Sequence, residues 1–255
     1  MPDRLAGKAA IVTGGASGFG GGIVDCFARE GAKVIIADIS EDGGSEKATA
    51  IQERGGEAMF VRCDVTDPDQ VQATVDACAA AYGGVDVMVA NAGLGQRPQP
   101  LLDMDEAEYD RQFAVNVKGV YYCCRSVLPV FRRLGRGNII VTASGIALLP
   151  RPNLVVYGAT KGAVLSFTKG LAIELAPEGF RVNALCPAAG DTPMLTEFMG
   201  GTASEEAREK FVSGLPLGRL ISPRDMGEAA VFLASDDEAG TITGCALPVD
   251  SGRCI

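Results

Sequence analysis

Residues 13–20 read TGGASGFG, and this glycine-rich stretch decides the fold. It follows a short apolar run at 9–13 and opens a segment with helical character at 18–30. Glycine lets the backbone turn tightly and approach a phosphate more closely than a Cβ atom would permit. The free N–H groups of the helix that follows would face the same phosphate. The stretch therefore predicts a strand–turn–helix unit that binds a dinucleotide through Gly14, Ser17, Gly18, Phe19 and Gly20.

Short apolar runs alternate with longer helical segments along the whole chain. The predicted strands lie at 9–13, 33–37, 58–63, 85–90, 138–143, 181–185 and 245–249. The predicted helices lie at about 18–30, 42–55, 68–82, 106–134, 156–176 and 224–235. Strands that are apolar on both faces are typical of a parallel sheet covered by helices on each side. The pattern predicts an α/β fold with a Rossmann-like, doubly wound, seven-stranded parallel sheet in a single domain over 1–255.

The alternation is interrupted once, at about 188–222, where a helical piece near 203–213 stands alone. An insertion of this length between a strand and the last long helix is typical of a segment that covers a binding site. We therefore predict a substrate lid at 188–222.

Composition excludes several classes of function. The net charge of −9 argues against nucleic acid or an anionic membrane as a partner, because phosphate groups require a basic surface. No apolar run is long enough to span a bilayer, and the N-terminal residues lack a signal-peptide pattern, so we expect a cytoplasmic protein. The eight cysteines show no metal-like spacing, and the chain has no histidine. We expect no metal site and no histidine-dependent nucleophile.

Asp38 ends the second predicted strand, 18 residues after Gly20. A carboxylate at this place accepts hydrogen bonds from the adenosine ribose and repels a 2′-phosphate. Neither Ser17 nor Ile39 offers a positive charge to such a phosphate. We therefore predict NAD (NAD+ or NADH) as the cofactor in preference to NADP.

Tyr157 and Lys161 are four residues apart in a helical segment, so both lie on one helix face. A nearby ammonium would lower the pKa of the phenol and allow it to transfer a proton near neutral pH. Ser144 ends the fifth predicted strand, at the sheet edge where ligands bind, and its hydroxyl would hold a substrate oxygen. These three side chains predict acid–base chemistry with Tyr157 as the proton carrier.

Together these motifs resemble those of the classical short-chain dehydrogenase/reductase family, over essentially the whole chain. Residues 13–20 resemble its cofactor turn, Asp64-Val65 its adenine-contacting pair, Asn91-Ala92-Gly93 its fourth-strand motif, and Asn116, Ser144, Tyr157 and Lys161 its catalytic tetrad. The resemblance implies that Lys161 holds the nicotinamide ribose and that Asn116 holds a water that relays protons. It also implies cofactor contacts at Pro187 and Thr192, and a homotetramer built partly through the helices near 106–134 and 156–176.

The chain departs from the family pattern after the sixth predicted strand. Ala188 stands where the family usually has glycine, and Gly190 stands where it has a branched residue. This departure affects the backbone path around the nicotinamide carboxamide and the shape of the substrate pocket.

The pocket walls are predicted at 94–99, 145–156 and 188–215, and most of their residues are apolar. The predicted substrate contacts are Leu94, Gln96, Ser144, Ile146, Leu154 and Ala188. They favour an NAD-dependent oxidation of an apolar secondary alcohol or reduction of the ketone. Two alternatives stay open: a reductase of 3-oxoacyl thioesters, against which Asp38 argues, and a binding module that has kept the dinucleotide site without catalysis.

Overall fold

The computed structural model describes residues 3–201 and 204–255. Met1 and Pro2, which contribute to the expectation about a signal peptide, and position 203 of the predicted helical piece lie outside them. No helix within the described residues is long and apolar enough to cross a membrane.

One sheet forms the centre of the molecule. Its strands are β1 Ala9–Thr13, β2 Lys33–Asp38, β3 Glu57–Arg62, β4 Val87–Ala90, β5 Asn138–Thr142, β6 Arg181–Pro187 and β7 Ala246–Val249. They lie in the order β3-β2-β1-β4-β5-β6-β7, and every neighbouring pair is parallel. The order reverses direction between β1 and β4, as in doubly wound sheets, where ligands bind at this reversal. The predicted seven-stranded parallel fold is confirmed.

Helices cover both faces of the sheet. They are α1 Gly18–Arg29, α2 Glu41–Gln52, α3 Pro68–Tyr82, α4 Glu106–Phe113, α5 Gly119–Leu134, α6 Val155–Leu175, α7 Leu195–Phe198, α8 Glu205–Ser213, α9 Pro223–Ala234 and α10 Asp236–Ala239. Side chains of α1, α2 and α9 form one apolar core with the sheet, and side chains of α3, α5 and α6 form the other. Burial on both faces explains why β1 and β5 are apolar throughout.

Two helices begin where capping chemistry places them. Asp67 accepts a hydrogen bond from the Asp69 N–H at 2.9 Å, and α3 starts at the next residue, Pro68. Ser222 and Asp225 form a reciprocal capping box at the start of α9. Proline at the first helical position loses no hydrogen bond, because that N–H has no helical partner.

The predicted helix at 106–134 is confirmed, and it contains a π-helical turn at Ala114–Lys118 between α4 and α5. The strand ends differ slightly from the prediction. β6 continues to Pro187 because Cys186 and Pro187 pair with Pro248 and Val249 of β7. The pattern of apolar residues shows which part of a strand is buried. It does not show where the last backbone hydrogen bond of the strand is formed, so the exact strand ends cannot be read from the sequence.

The segment 188–222 leaves the sheet and returns to it at nearly the same point. The Asp191 N–H donates to the Ile221 carbonyl at 2.8 Å, and the Ile221 N–H donates to the Ala189 carbonyl at 3.1 Å. Between these ends lie α7 and α8, and Leu195, Leu215 and Leu220 form a small core of their own. Because its two ends are tied together, the segment is a separate flap at the edge of the sheet.

Candidate active site

One cavity of about 690 Å³ opens at the carboxyl ends of β1, β2, β4, β5 and β6. The predicted site residues that line it are Gly14, Ser17, Gly18, Phe19, Gly20, Asp38, Asp64, Val65, Asn91, Ala92, Gly93, Leu94, Ser144, Ile146, Leu154, Tyr157, Lys161, Pro187, Ala188 and Thr192. Gln96 and Asn116 are not among the lining residues. Within 3–201 and 204–255, no group of three or more histidine, cysteine, aspartate or glutamate residues could hold a metal ion.

The glycine turn folds closely upon itself between Gly14 and Gly20. A Cβ atom on Gly20 would lie 2.0 Å from the carbonyl oxygen of Gly14, so no larger residue fits there without moving the turn. The turn leads into α1, where Ser17 makes no side-chain cap. The first N–H groups of α1 therefore have no partner within the helix, and the residues that carry them line the cavity. Free donors at a helix N-terminus fit a diphosphate.

Asn91 fixes the position of this turn. Its side-chain Nδ2 donates to the carbonyl of Thr13 at 2.9 Å and to that of Gly14 at 3.3 Å. Its Oδ1 accepts from the Thr142 hydroxyl at 3.0 Å, and its own N–H donates to the Thr13 hydroxyl at 3.0 Å. One amide thus joins the ends of β1, β4 and β5, so the glycine turn and the catalytic strand end are held in one rigid unit.

Asp38 lies at the end of β2 with its carboxylate already held from two sides. Its Oδ2 accepts from the Ala16 N–H at 3.0 Å, and its Oδ1 accepts from the Ser40 N–H at 3.0 Å. Two other residues line the cavity near Asp38. They are Ile39, the next residue in the chain, and Asp64, which follows β3, and neither is basic. An acidic, rigid group at this wall fits ribose hydroxyls better than a phosphate.

Tyr157, Lys161 and Ser144 meet in the cavity, and each is less than 10% exposed. The Ser144 hydroxyl donates to the Pro187 carbonyl at 3.4 Å and accepts from the Ile146 N–H at 3.3 Å. The Lys161 Nζ lies 5.8 Å from the centroid of the Tyr157 ring and donates to the Thr142 carbonyl at 2.9 Å. The predicted spacing therefore brings a phenol, a hydroxyl and an amine to the same place.

The expectation that Lys161 lowers the pKa of Tyr157 is wrong for this structure. Burial raises the pKa of Tyr157 to about 12, the nearby Ser144 hydroxyl opposes the rise, and Glu197 adds to it. Burial also lowers the pKa of Lys161 to about 8. Loss of water around both groups favours the neutral form of each.

Asn116 lies outside the cavity wall and connects the wall to α6. Its Oδ1 accepts from the Leu94 N–H at 2.8 Å, and its Nδ2 donates to the Thr160 hydroxyl at 3.2 Å. That hydroxyl in turn donates to the Tyr157 carbonyl at 2.7 Å. Asn116 is fully buried in the π-helical turn, and the water that the resemblance places beside it stays a prediction.

Gln96, predicted as a substrate contact, instead holds the start of α6. Its Oε1 accepts from the Tyr157 N–H at 2.8 Å, and its Nε2 donates to the Asn153 carbonyl at 3.1 Å. The N-cap of α6 is Leu154, which has no side-chain acceptor for the free N–H groups of the first turn. A buried glutamine from a distant loop supplies this acceptor. The apolar cap was the only sequence signal that such an acceptor was needed.

The part of the cavity wall that the predicted substrate segments form is mostly apolar. Its large apolar residues include Leu94, Ile146, Leu149, Leu154, Met194, Leu195 and Phe198. Leu148 and Met199, which belong to the same predicted walls, do not line the cavity. Phe198 of α7 packs edge-on against the ring of Tyr157, so the flap contacts the reactive residue directly.

Comparison with known proteins agrees with this geometry. A family model described as enoyl-(acyl carrier protein) reductase matches residues 14–253. The chain belongs to the short-chain dehydrogenase/reductase family. Its relatives are dehydrogenases and reductases, so the protein is an oxidoreductase of this family.

Three members of the family illustrate the likeness. The 4-formylbenzenesulfonate dehydrogenase of Comamonas testosteroni is 43% identical over 97% of this chain and 98% of its own. The cis-4-hydroxycyclohexanecarboxylate dehydrogenase of Sinomonas cyclohexanicum is 36% identical over 99% of this chain and 98% of its own. The structure of a 3-ketoacyl-(acyl-carrier-protein) reductase from Brucella melitensis, complexed with NADH, superposes with a TM-score of 0.91 and 45% identity, over 98% and 100% of the two chains.

The two departures from the short-chain dehydrogenase pattern lie beside the cavity. A Cβ atom on Gly190 would lie 2.1 Å from Cζ of Phe19, so the Phe19 ring occupies the space of a side chain at 190. Ala188 packs against the apolar core of α1 and α9. The missing side chain at Gly190 and the Phe19 ring are therefore complementary in volume.

The sequence interpretation missed one part of the cavity wall, the C-terminal tail after β7. Arg253 and Cys254 line the cavity, and the Cys254 thiol donates to the Gly145 carbonyl at 3.5 Å. The tail turns back because Asp250 accepts hydrogen bonds from the N–H groups of Gly252 and Cys254. Asp250 and Gly252 signal a turn but not its direction, so the sequence could not have placed these residues at the site.

Proposed function

We propose that this oxidoreductase transfers a hydride between NAD and a secondary alcohol or its ketone, with Tyr157 as general acid and base. The observation that carries the proposal is the meeting of Tyr157, Ser144 and Lys161 in the same cavity as the glycine turn and Asp38. The turn would hold the diphosphate and Asp38 the adenosine ribose. When bound, the nicotinamide supplies the acceptor or donor of the hydride.

The protein's own groups then carry the proton and the charge. The Tyr157 phenolic oxygen would take the hydroxyl proton during oxidation and return it during reduction. The Ser144 hydroxyl, which lines the same cavity, would orient the substrate oxygen and stabilise the charge that develops on it. Lys161, anchored at the Thr142 carbonyl, would bind the ribose next to the reacting ring. The flap at 188–222 would exclude water, since Phe198 covers Tyr157.

The apolar substrate wall supports a ring or hydrocarbon substrate rather than a small sugar. The names of the two relatives from Comamonas and Sinomonas describe compounds in which a six-membered ring carries the reacting group. We propose a compact cyclic or aromatic alcohol, or its carbonyl form, as the substrate.

A second candidate is the reduction of 3-oxoacyl thioesters. The Brucella melitensis reductase with 45% identity bears this activity in its name. Its structure contains NADH, so the presence of Asp38 is a weaker argument against this activity than the sequence suggested. Reduction of acetoacetyl-CoA with higher kcat/KM than any cyclic ketone would favour this candidate.

The test is a panel of cyclic alcohols and ketones and acetoacetyl-CoA, each assayed with NAD and with NADP in the appropriate redox state by nicotinamide absorbance. We expect turnover with NAD(H), a preference over NADP(H), and loss of at least 100-fold in Tyr157→Phe. NADH binding, measured by fluorescence, should survive that substitution. Unchanged turnover in Tyr157→Phe would exclude the proposed acid–base role, and binding without any turnover would favour a binding module.

We also propose a homotetramer located in the cytoplasm. Large apolar side chains are exposed on the helices expected at the interfaces: Tyr109, Tyr121, Val155 and Ile173. All eight cysteines are free thiols, which suits a reducing compartment. Light scattering of the purified protein measures its molar mass in solution. The mass of a monomer would contradict the proposed homotetramer.

A further inference from the structure

Two arginines reach the cavity without a partner of opposite charge. Arg151, in the loop between Ser144 and α6, and Arg253, in the C-terminal tail, both line the cavity and are both partly buried. Neither guanidinium makes a hydrogen bond or an ion pair within 3–201 and 204–255, whereas Arg111, which also lines the cavity, pairs with Glu108 at 2.7 Å. Arginines without a carboxylate or phosphate partner are unusual away from solvent.

The electrostatic surroundings of Arg151 are unfavourable to its charge. Burial lowers the pKa of Arg151, and the positive charge of Arg253 lowers it further, while only the Cys254 thiol acts in the opposite direction. Three acidic residues line the cavity, but Asp38 lies at the end of β2, Asp64 lies after β3, and Glu197 acts on Tyr157. The charge of Arg253 therefore disfavours that of Arg151, and no carboxylate of the described residues forms an ion pair with either guanidinium.

Both arginines belong to segments that are connected to the part of the cavity wall around Ser144. Arg151 follows Ser144 in the loop that leads to α6, and Arg253 precedes Cys254, whose thiol contacts the Gly145 carbonyl. An anion placed between them would lie in the same cavity as the reacting groups. Two guanidinium forks can bind one carboxylate or sulfonate through several charge-assisted hydrogen bonds.

We propose that Arg151 and Arg253 form an anion-binding site and that the physiological substrate carries a carboxylate or sulfonate group. This inference rests on the proposed oxidoreductase function and names the substrate class of the same cavity. The apolar wall would take the ring or hydrocarbon part of the substrate, and the arginine pair would select compounds with an acidic group.

Binding is tested first, with ligands that cannot react. The probes are 4-methylbenzoate and the uncharged 4-methylbenzamide, titrated calorimetrically into the whole protein with and without NADH. We expect the wild type to bind the carboxylate roughly tenfold more tightly than the amide, since hydrogen bonds to charged groups are strong. Arg151→Gln and Arg253→Gln should each remove most of this preference, and Arg151→Lys should keep part of it.

Arg97→Gln is the matched control. Arg97 is a surface arginine near the flap that does not line the cavity, so its loss changes net charge equally but should leave the preference intact. Equal binding of the two probes by the wild type, including no binding of either, overturns the proposal. A preference that survives in both glutamine variants also overturns it.

Turnover separates this inference from the proposed function. The substrates are 4-acetylbenzoate and 4-acetylbenzamide, reduced with NADH. A lower KM for the carboxylate, lost in the glutamine variants with NADH affinity unchanged, supports both ideas. Reduction of the amide at equal efficiency overturns the anion site and leaves the oxidoreductase function standing. Selective binding of 4-methylbenzoate without turnover of any alcohol or ketone overturns the proposed function alone.

Discussion

The ring of Phe198 packs edge-on against the ring of Tyr157, with centroids 5.2 Å apart and planes inclined at 62°. This contact joins the flap to the residue that we propose as proton carrier. Since burial is the main cause that raises the pKa of Tyr157 to about 12, the flap helps to keep the phenol protonated and also shapes the pocket.

Phe198→Ala should therefore change the pH dependence of oxidation. Water admitted beside Tyr157 would lower the pKa of the phenol, so kcat/KM would rise to its plateau at lower pH than in the wild type. The plateau itself should fall about tenfold, because the apolar wall is lost. The measurement is kcat/KM against pH with saturating NAD. Phe198→Leu, which keeps an apolar cover, should shift little; an identical pH dependence in Phe198→Ala would show that the ring does not control the phenol.

Gln96 should prove to be a positioning residue. Gln96→Ala leaves the buried N–H of Tyr157 without its acceptor, which costs about 1–3 kcal/mol of stability and loosens the start of α6. We expect kcat to fall more than KM rises, since Gln96 does not line the cavity. Gln96→Glu keeps the acceptor and loses the donor to Asn153, so it should be intermediate.

Gln99→Ala is the control for Gln96. Gln99 is in the same loop, but its side chain contacts the Met104 sulfur and not α6. Chemical denaturation and steady-state kinetics of the three variants give both readouts. If Gln96→Ala raised KM alone, the predicted substrate contact would be restored and the positioning role lost.

Asp38→Asn should relax the choice of cofactor. The substitution keeps the size of the side chain and one of the two oxygens that accept from the Ala16 and Ser40 N–H groups, so one of these hydrogen bonds is lost. It also removes the charge that would repel a 2′-phosphate. We expect the ratio of kcat/KM with NADP to that with NAD to rise about tenfold or more, since the lost repulsion is between close charges. Asp42→Asn, an exposed acid in α2 outside the cavity, should leave the ratio unchanged. An unchanged ratio in Asp38→Asn would place the selectivity elsewhere.

Local patterns were sufficient for the fold and for most of the site. The apolar strands and the glycine turn predicted the parallel sheet, and the order of a doubly wound sheet brings strand ends such as Asp38 and Ser144 to one edge. The i, i+4 spacing likewise placed Tyr157 and Lys161 on one helix face. Each of these inferences uses only residues that are near in the chain or share a regular element.

The parts that could not be predicted depend on contacts between distant segments. Gln96 reaches the start of α6, and Arg253 returns to the cavity through a turn whose direction no local pattern encodes. The expectation that the pKa of Tyr157 would be lowered was wrong for a related reason. The sequence reveals that Lys161 is near, but the extent of burial, which determines the direction of the shift, is a property of the whole fold.

Lys161→Met should stabilise the protein at neutral pH while abolishing activity. Burial lowers the folded-state pKa of Lys161 to about 8 from 10.5, so the unfolded chain binds more protons between these values and wild-type stability rises with pH through that window. Below pH 8 the buried ammonium carries its full desolvation cost, on the order of 3 kcal/mol from the shift, and the lost hydrogen bond to Thr142 offsets about 1 kcal/mol of the gain. The methionine variant should thus be more stable by about 1–2 kcal/mol at pH 7, with the advantage gone by pH 10.

Urea unfolding at both pH values measures this difference in stability. Lys169 is an exposed lysine of the same helix, so Lys169→Met is the control that should show no such pH dependence. A Lys161→Met variant that is less stable than the wild type at pH 7 would mean that the ammonium is compensated by contacts stronger than its one hydrogen bond.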